Sequence, residues 1–493
     1  MMVQSTRGQC SLKDTEAVLA GIAADGGLFV DAALSERAFD WRACLKLSPL
    51  GMAEKILSFL LPGFSDMSRL VQRAYAGKFE TEELTPLVPV GDDFVLELFR
   101  GPTSAFKDVA LSMLPQLISA ARESGGAQGE TVILTATSGD TGKAALEGFH
   151  DVAGTRIFVF YPDGGVSPVQ RLQMVTQQGS NVCVCAVRGN FDDCQTGVKQ
   201  AFAAIREGEL LRGSGQSLSS ANSINIGRLA PQLVYYFIAY AKLLEQGRLR
   251  EGEKVDFVVP TGNFGDILAG YMAKCLGLPV GRLICASNAN RVLTDFFATG
   301  VYDRRRDFVR TSSPSMDILV SSNLERLLFY ASGGDTQLVS ACMRALAEEG
   351  CYRVPEPIMA RIREDFSACC CSERETEETI GRVWRETGYL CDPHTAVAMF
   401  AARQYRQEER AERPLVVLST ASPYKFPGPV LRAIGGDAGE DEFEQMEAVS
   451  ALSGVPIPAN LAGLRQYPVR HRDVIDKEDM LAYILGKLKE EQI

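Results

Sequence analysis

Short runs of β-branched residues alternate with stretches of helical periodicity from residue 131 onward. Strands are predicted over residues 131–137, 156–161, 181–187, 254–260 and 282–286. Amphipathic patterns between them predict helices that begin near Lys143, Pro168, Asp192 and Ile267. This alternation is typical of βαβ units, in which a helix returns the chain so that the next strand lies parallel to the last. The sequence therefore predicts an α/β fold built on parallel sheets, with the strand order left open.

The balance between helical and strand patterns differs along the chain. Residues 1–80 contain helical patterns and few strand runs, which predicts a helix-rich N-terminal unit. Residues 81–290 hold the α/β units of the core, whereas residues 291–390 are mostly helical and charged, as in an insertion or a small domain. We expect residues 391–493 to complete the core.

Charge and hydropathy argue against nucleic acid and membranes as binding partners. The formal net charge of −11 disfavours a broad surface for nucleic acid or anionic membrane. The longest apolar runs fall well short of a bilayer span, and the N-terminus lacks a basic segment followed by an apolar one. We therefore expect a cytoplasmic protein that binds neither nucleic acid nor membrane. Its assembly is expected to be a monomer or a homodimer.

Cysteine and histidine usage argues against metal and serine-hydrolase chemistry. The 13 cysteines come without a secretory signal, so free thiols are expected rather than disulfides. Cys369, Cys370 and Cys371 are consecutive and cannot all face one metal ion from a regular helix, and no CxxC or HExxH pattern accompanies them. With three histidines and no GxSxG turn, we expect proton transfer by a residue other than histidine.

Lys107 lies where a loop enters a predicted helix. Its segment, residues 97–117, reads ELFRGPTSAFKDVALSMLPQL, in which the apolar residues Ala105 and Phe106 precede the lysine and predict its partial burial. Burial lowers the pKa of a lysine toward the range in which a neutral amine attacks a carbonyl. Lys107 is therefore a candidate Schiff-base lysine. The alternative is a solvated pair of Lys107 and Asp108 in the first turn of a surface helix.

Two glycine-rich loops each follow a predicted strand and open a helix. The first, TATSGDTGKAAL at 135–146, gathers backbone N–H groups at a positive helix end, where an anion binds. The second, PTGNFGDILAG at 260–270, has glycines that allow close approach of an anion, and it lacks the P-loop ending and the GxGxxG spacing. Each loop alone is equally well explained as a capped strand–helix turn. The two together favour a phosphorylated cofactor.

These segments together resemble threonine synthase, a fold-type II pyridoxal-phosphate enzyme related in fold to the tryptophan synthase β chain and cysteine synthase. The resemblance reaches nearly the whole chain through eight ordered segments: STRG, DGGLFV, LFRGPTSAFKD, TSGDTG, NSINIGRL, PTGNFGD, DPHTAVA and STASPYKF. GPTSAFKD and TGNFGD are the most specific of them. The resemblance implies a fold-type II α/β architecture and the cofactor pyridoxal 5'-phosphate.

The resemblance also implies roles for individual residues. Lys107 matches the catalytic lysine that binds the cofactor covalently. The other implied cofactor contacts are Gly262, Asn263, Phe264 and Gly265 around the phosphate, and Thr420 beside the pyridine nitrogen. The implied contacts of the substrate carboxylate and the ring hydroxyl are Ser138, Gly139, Asp140 and Thr141. Candidates for the substrate phosphate are Lys143, Arg228 and Lys425, whose alternative is a solvated or ion-paired side chain.

Two positions depart from the family pattern. Arg100 stands before GPT where the family often has histidine, and TASP at 420–423 replaces a TAHP pattern. The first change adds a cation near the predicted site, and the second removes an imidazole. Both concern the later steps of the reaction rather than the bond between lysine and cofactor.

The activity implied by the resemblance converts O-phospho-L-homoserine and water to L-threonine and phosphate. Lys107 would move protons at Cα and Cβ in this β,γ-replacement. A phospho-lyase of the same family would instead eliminate phosphate and release a 2-oxo acid. More distant alternatives are a serine/threonine dehydratase or another fold-type II lyase, and a pyridoxal-phosphate-binding protein without turnover.

Overall fold

The computed structural model describes residues 1–8, 10–126, 129–409, 412–437 and 439–490. The strands are β1 (Met2–Ser5), β2 (Ser11–Lys13), β3 (Phe29–Val30), β4 (Leu87–Val90), β5 (Asp93–Glu97), β6 (Thr131–Ala136), β7 (Thr155–Pro162), β8 (Val182–Arg188), β9 (Ser217–Ser219), β10 (Val255–Pro260), β11 (Val280–Ser287), β12 (Val301–Asp303), β13 (Cys351–Arg353), β14 (Phe366–Cys370), β15 (Leu415–Ser419) and β16 (Asp473–Asp476).

The helices are α1 (Asp14–Ala20), α2 (Trp41–Cys44), α3 (Pro49–Leu60), α4 (Met67–Tyr75), α5 (Lys107–Ser124), α6 (Asp140–Phe149), α7 (Pro168–Val175), α8 (Phe191–Glu207), α9 (Ile226–Leu229), α10 (Leu233–Glu245), α11 (Gly265–Cys275), α12 (Val292–Thr299), α13 (Leu324–Ala331), α14 (Thr336–Glu348), α15 (Glu356–Asp365), α16 (Glu373–Thr387), α17 (Pro393–Glu409), α18 (Pro427–Ala433), α19 (Glu442–Ser453), α20 (Ala459–Ala462) and α21 (Met480–Glu490). Two short 3₁₀ turns matter for the site, at Pro314–Met316 and Pro423–Lys425.

A six-stranded sheet has the strand order β14-β11-β10-β15-β5-β4. All neighbouring pairs are parallel except β4 and β5. Every residue of β10 and β15 is buried, because helices cover both faces of the sheet, as parallel sheets require. The carboxyl ends of the five parallel strands, β5, β10, β11, β14 and β15, therefore lie at the same edge of the sheet.

A five-stranded sheet, entirely parallel, has the order β16-β8-β7-β6-β9. The predicted parallel α/β architecture is confirmed, and β6, β7, β8, β10 and β11 fall on the predicted strands. Helices α6 and α11 begin earlier than predicted, at Asp140 and Gly265. The difference has a physical reason: the glycine-rich loops already supply the first helical turn, in which polar residues and glycine hide the apolar periodicity.

The N-terminal residues combine helices with a small antiparallel sheet of the order β2-β1-β3. Helices α1 and α4 pack against α5, and α3 packs against α10. Thr6 and Arg7 of the STRG segment bond to Glu325 of α13, with the Arg7 Nε to Glu325 Oε1 distance at 3.1 Å. The beginning of the chain is thus anchored to a helix more than 300 residues away in sequence.

The segment predicted as an insertion, residues 291–390, contains helices α12 to α16 and the antiparallel pair β12 and β13. Its strand β14 pairs with β11, so this segment also supplies the edge strand of the six-stranded sheet. Cys369 and Cys370 lie in β14 and Cys371 follows it, all three as free thiols. None of the helices in the described ranges is both long enough and apolar enough to cross a bilayer.

Candidate active site

Lys107 is the first residue of α5, and the two residues before it lie against the segment that follows β15. The loop before it is tied to that strand, because the Phe106 N–H donates to the Thr420 carbonyl at 2.8 Å. Ser104 has a φ of +59°, a conformation that residues other than glycine seldom adopt. Hydrogen bonds to Asn460 and Ser422 hold Ser104 in this turn. The turn aims the Lys107 side chain inward, and only 8% of the residue is exposed.

The amine of Lys107 is desolvated and lies between a hydroxyl and a carboxylate. Its Nζ donates to Ser315 Oγ at 3.1 Å and lies 3.8 Å from Asp140 Oδ2. Burial lowers the pKa of Lys107 from 10.5 to about 8; Asp140 opposes this shift, and the cations of Lys425 and Arg228 reinforce it. The alternative of a solvated surface pair with Asp108 is wrong, since both residues are buried.

Asp108 instead braces the turn before the lysine. Its carboxylate accepts from the Thr103 N–H at 2.8 Å and from the Thr103 hydroxyl at 2.5 Å. Burial raises the pKa of Asp108 to about 6, against the effect of these two hydrogen bonds. Gly101 packs so closely on this side chain that an added Cβ would lie 2.5 Å from Asp108 Oδ2. The GPTSAFKD segment therefore folds as a rigid unit around its own aspartate.

The first glycine-rich loop closes over Asp140. Thr137 Oγ1 accepts from the N–H groups of Gly139 and Gly142, and Gly139 has a φ of +144°. The Asp140 carboxylate accepts from Lys425 Nζ at 2.7 Å and from Gln170 Nε2 at 2.9 Å. Burial acts to raise the pKa of Asp140, but Lys425 and Lys107 hold it well below its usual range. A carboxylate and two lysines thus share one buried site.

The other residues predicted for this loop are less enclosed. Ser138 is exposed and Thr141 is half-buried at the start of α6. The N–H groups of the first turn of a helix lack intrahelical acceptors, so Asp140 and Thr141 contribute donors there. Lys143 is one turn further along, where its Nζ bonds to Glu147 Oε2 at 3.0 Å and to Gln177 Oε1. Its charge is therefore balanced within the helix and its loop.

The second glycine-rich loop turns sharply into α11. Phe264 has a φ of +66°, and its ring is fully buried in contact with Phe297 and Phe366. An added Cβ on Gly262 would lie 2.6 Å from the Ser315 carbonyl oxygen, so glycine is required for this close approach. The Asn263 side chain is exposed, and the backbone carbonyl of Asn263 accepts from Asn323 Nδ2 at 3.1 Å.

The surroundings of Gly265 fit the phosphate of pyridoxal phosphate. A Cβ on Gly265 would occupy space bounded by the amide nitrogens of Asn323 and Gln232, each 3.5 Å away. The N–H groups of Gly265 and Asp266 lie in the first turn of α11, where the helix dipole favours an anion. Ser315 connects this loop to Lys107, since it touches Gly262 with its carbonyl and Lys107 with its hydroxyl. The start of α11 and the Lys107 amine thus lie on either side of Ser315, an arrangement that fits a cofactor with a phosphate and an aldehyde.

Arg228 is a buried cation that lacks a carboxylate partner among the described residues. It lies in α9, is 6% exposed, and donates through Nη1 to the Ala221 carbonyl at 2.7 Å. Burial lowers its pKa from 12.5 to about 10. Lys425, by contrast, is committed to Asp140 and to the Thr103 carbonyl at 3.0 Å. Thr420 is buried at the end of β15, immediately beside the Lys107 loop.

Sequence reasoning missed four residues that complete the site: Ser315, Asp392, His394 and Gln170. Ser315 contacts the Lys107 amine from 208 positions away. His394 Nε2 accepts from the Ser315 N–H at 3.1 Å, and Asp392 Oδ2 contacts His394 Nδ1 at 2.6 Å. The only sequence signal for Asp392 and His394 is the DPHTAVA segment, which does not indicate which residue the imidazole contacts.

Comparisons with known proteins identify the family of this chain. The family model "Pyridoxal-phosphate dependent enzyme" matches residues 82–421, and the model "Threonine synthase, C-terminal" matches residues 395–484. Threonine synthase of Pseudomonas aeruginosa is 40% identical over 480 residues, covering 95% of this chain and 98% of the relative. Threonine synthase-like 1 of Pongo abelii is 37% identical over 457 residues, covering 90% of this chain, which spans 61% of that longer relative.

A solved structure gives the same result for the fold. Pyridoxal-phosphate-bound threonine synthase from Brucella melitensis is 39% identical, matches over 99% of both chains and superposes with a TM-score of 0.85. The fold-type II architecture and the cofactor expected from the sequence are thereby confirmed. The chain belongs to the threonine synthase family of pyridoxal-phosphate-dependent enzymes.

Proposed function

We propose that this chain converts O-phospho-L-homoserine and water to L-threonine and phosphate by a β,γ-replacement. The observation that carries the proposal is the Lys107 amine, which is buried, has a pKa lowered to about 8 and lies 3.8 Å from Asp140 Oδ2. At such a pKa about a tenth of the free amine is unprotonated at pH 7, enough to act as a base. The same amine is suited to bind a carbonyl carbon.

Proton movement is assigned to this single nitrogen. Pyridoxal phosphate, when bound, draws electrons from the substrate so that its Cα and then its Cβ protons become acidic. Lys107 Nζ accepts and returns these protons. Asp140 stabilises the ammonium form of Lys107, while Lys425 balances the charge of Asp140 at 2.7 Å. Removal of water from around the amine by burial strengthens both effects.

The substrate phosphate requires a cation that is not already neutralised. Of the three candidates, Lys143 is paired with Glu147 and Lys425 with Asp140. Arg228 lies close enough to Lys107 to lower the pKa of its amine, and it has no carboxylate partner among the residues described. A guanidinium offers several N–H donors in a planar fork that matches phosphate oxygens. We assign Arg228 the main role at the leaving phosphate, with Lys143 and Lys425 as supporting candidates.

The remaining binding roles follow the anion sites of the two loops. We assign the cofactor phosphate to the loop of Gly262, Asn263, Phe264 and Gly265, supported by the helix start and the amides around Gly265. The substrate carboxylate and the ring hydroxyl are assigned to Ser138, Gly139, Asp140 and Thr141 at the start of α6. Thr420 is assigned to the pyridine nitrogen as a neutral hydroxyl partner.

Product analysis tests the proposal directly. The purified protein, loaded with pyridoxal phosphate, is incubated with O-phospho-L-homoserine, and threonine, 2-oxobutyrate and phosphate are measured over time. Threonine and phosphate in equal amounts support the proposed activity. Phosphate with 2-oxobutyrate would instead identify a phospho-lyase. No phosphate release would contradict the proposal and leave a dehydratase, another fold-type II lyase or a binding protein without turnover.

The setting of the enzyme is proposed from its composition. We propose a cytoplasmic monomer or homodimer that acts on a small molecule and binds no nucleic acid, because its net charge of −11 repels polyanions. The division into units at residues 1–80, 81–290, 291–390 and 391–493 is likewise a proposal, and limited proteolysis tests it.

A further inference from the structure

The short 3₁₀ turn Pro314–Met316 lies over the Lys107 amine. Ser315 in this turn accepts a hydrogen bond from Lys107 Nζ at 3.1 Å. The carbonyl of the same residue faces Gly262 so closely that an added Cβ there would lie 2.6 Å from it. One residue therefore touches both the reactive amine and the loop assigned to the cofactor phosphate. A shift of Ser315 would therefore disturb both the amine and the loop.

A buried imidazole fixes the backbone of this turn. His394 Nε2 lies 3.1 Å from the Ser315 nitrogen, and a backbone N–H can only donate. The Nε2 atom therefore carries no hydrogen in this arrangement. The hydrogen of the neutral ring is on Nδ1 and is donated to Asp392 Oδ2 at 2.6 Å.

Asp392 and His394 are held from several directions. Asp392 is fully buried and His394 is 2% exposed. The Asp392 carboxylate also accepts from the N–H groups of His394 and Thr395 at 3.0 and 3.1 Å, which fixes it at the start of α17. The His394 ring packs on Phe426 with the ring centroids 4.9 Å apart. The imidazole thus has one orientation, and its one free acceptor is given to Ser315.

We propose that Asp392 and His394 are positioning residues that act through Ser315 on the orientation of the Lys107 amine. The inference deepens the proposed function, on which it rests. A lysine amine released from the cofactor must carry protons between two substrate carbons and hence must not rotate freely. Ser315 Oγ accepts one hydrogen of this amine and restricts that rotation. Without the His394 acceptor, the Ser315 N–H is left unpaired and the turn is free to shift away from Lys107.

Matched variants separate this role from simple packing. Glutamine at position 394 can place an amide oxygen near the present Nε2 position, whereas asparagine is too short to reach the Ser315 N–H. We expect His394→Asn and Ser315→Ala to lower kcat about tenfold or more with little change in KM, as loss of a contact made to a charged group predicts. His394→Gln and Ser315→Thr should restore most of the loss. The kinetic isotope effect of substrate deuterated at Cα should rise in the two impaired variants.

Ser313→Ala is the control, since this buried serine belongs to the same segment but its hydroxyl accepts from Asn288 at 3.0 Å instead of contacting Lys107. It should leave kcat and the isotope effect near those of the wild type. Equal losses in Ser313→Ala and Ser315→Ala, or no difference between His394→Asn and His394→Gln, would overturn the inference. If His394→Asn fails to fold, Asp392→Asn takes its place. The new amide can donate to His394 Nδ1, which moves the ring hydrogen to Nε2 and removes the acceptor of the Ser315 N–H, so kcat should fall in the same way. An unchanged kcat in Asp392→Asn would overturn the inference.

A second readout does not depend on turnover. Full-length enzyme stripped of cofactor is mixed with pyridoxal phosphate, and the absorbance change reports bonding to Lys107. Ser315→Ala should bond the cofactor more slowly than Ser315→Thr and the control, because its amine is less well oriented. Equal rates in all variants would contradict the inference even if the wild type lacked synthase activity. If the wild type has no synthase activity but the bonding rates follow the expected order, only the proposed function is refuted and the inference stands.

Discussion

Replacement of Arg228 by methionine should change stability and catalysis in opposite directions. Burial lowers the pKa of this guanidinium from 12.5 to about 10. Such a shift corresponds to a penalty of roughly 3 kcal/mol on the charged form in the folded protein. Because both pKa values lie above 7, the full penalty acts at neutral pH. The lost hydrogen bond to the Ala221 carbonyl offsets about 1 kcal/mol of the gain. The free energy of unfolding should therefore rise by about 2 kcal/mol.

Catalysis should suffer in the same variant. If Arg228 holds the substrate phosphate, the loss of a charge-assisted contact of about 1.5–3 kcal/mol lowers kcat/KM by about one to two orders of magnitude. The cofactor absorbance should not change, because we assign the cofactor phosphate to the separate loop of residues 262–265. Phosphate release from O-phosphohomoserine gives the rate constants, and urea denaturation of the cofactor-loaded protein gives the free energy of unfolding.

Arg326 provides the comparison for stability. It is fully buried with a pKa also lowered to about 10, but it donates to Phe29 O at 3.0 Å, to Ile224 O at 2.6 Å and to Asn323 Oδ1. Arg326→Met leaves three buried acceptors without a donor and should destabilise the protein. If Arg228→Met destabilises as strongly and leaves kcat/KM unchanged, Arg228 is a structural residue and the reasoning fails.

Three further predictions, made with four variants, test other parts of the site. Lys107→Ala should abolish turnover while the protein still folds, and borohydride treatment of the wild type should attach the cofactor to the Lys107 peptide; mass spectrometry showing another labelled lysine would refute the assignment. The methyl group of Gly265→Ala would lie no closer than 3.5 Å to a protein atom, so this variant should weaken cofactor retention without lowering the melting temperature of cofactor-free enzyme. The methyl group of Gly262→Ala would lie 2.6 Å from a carbonyl oxygen, so that variant should lower both cofactor retention and the melting temperature. Lys425→Met removes a cation that lowers the Lys107 pKa, so in cofactor-free enzyme the pH at which an amine reagent half-maximally labels Lys107 should rise above about 8; an unchanged or lower value would contradict this electrostatic coupling.

The parts of the fold that sequence reasoning predicted are those that local patterns determine. Strands β6, β7 and β8 are runs of β-branched and aromatic residues buried on both faces, a pattern that depends only on neighbouring residues. Helix α4, Met67–Tyr75, begins and ends where its apolar periodicity does. Lys107 could be located because glycine and proline mark the turn before it.

The rest of the site depends on partners that are distant in sequence. Nothing local to Ser315 indicates that it contacts Lys107, and nothing local to Lys425 indicates that its amine faces Asp140 rather than an open pocket. Strand β14 could not be predicted either, because its residues belong to a segment with a mostly helical and charged sequence pattern. They form a strand because they pair with the edge of β11. Such contacts are selected by tertiary packing, which a single sequence does not encode locally.

The central position of β15 has a consequence for how the chain folds during synthesis. Strand β15 lies between β5 and β10, although it is synthesised more than 150 residues after β10. Until it emerges from the ribosome, β5 and β10 each expose an unpaired parallel edge, which is a template for aggregation. Pairing across such long separations also slows folding. Because Thr420 directly follows β15, the cofactor pocket closes in the same event as the sheet. Pyridoxal phosphate supplied during refolding should therefore raise the yield of native enzyme by trapping the closed sheet.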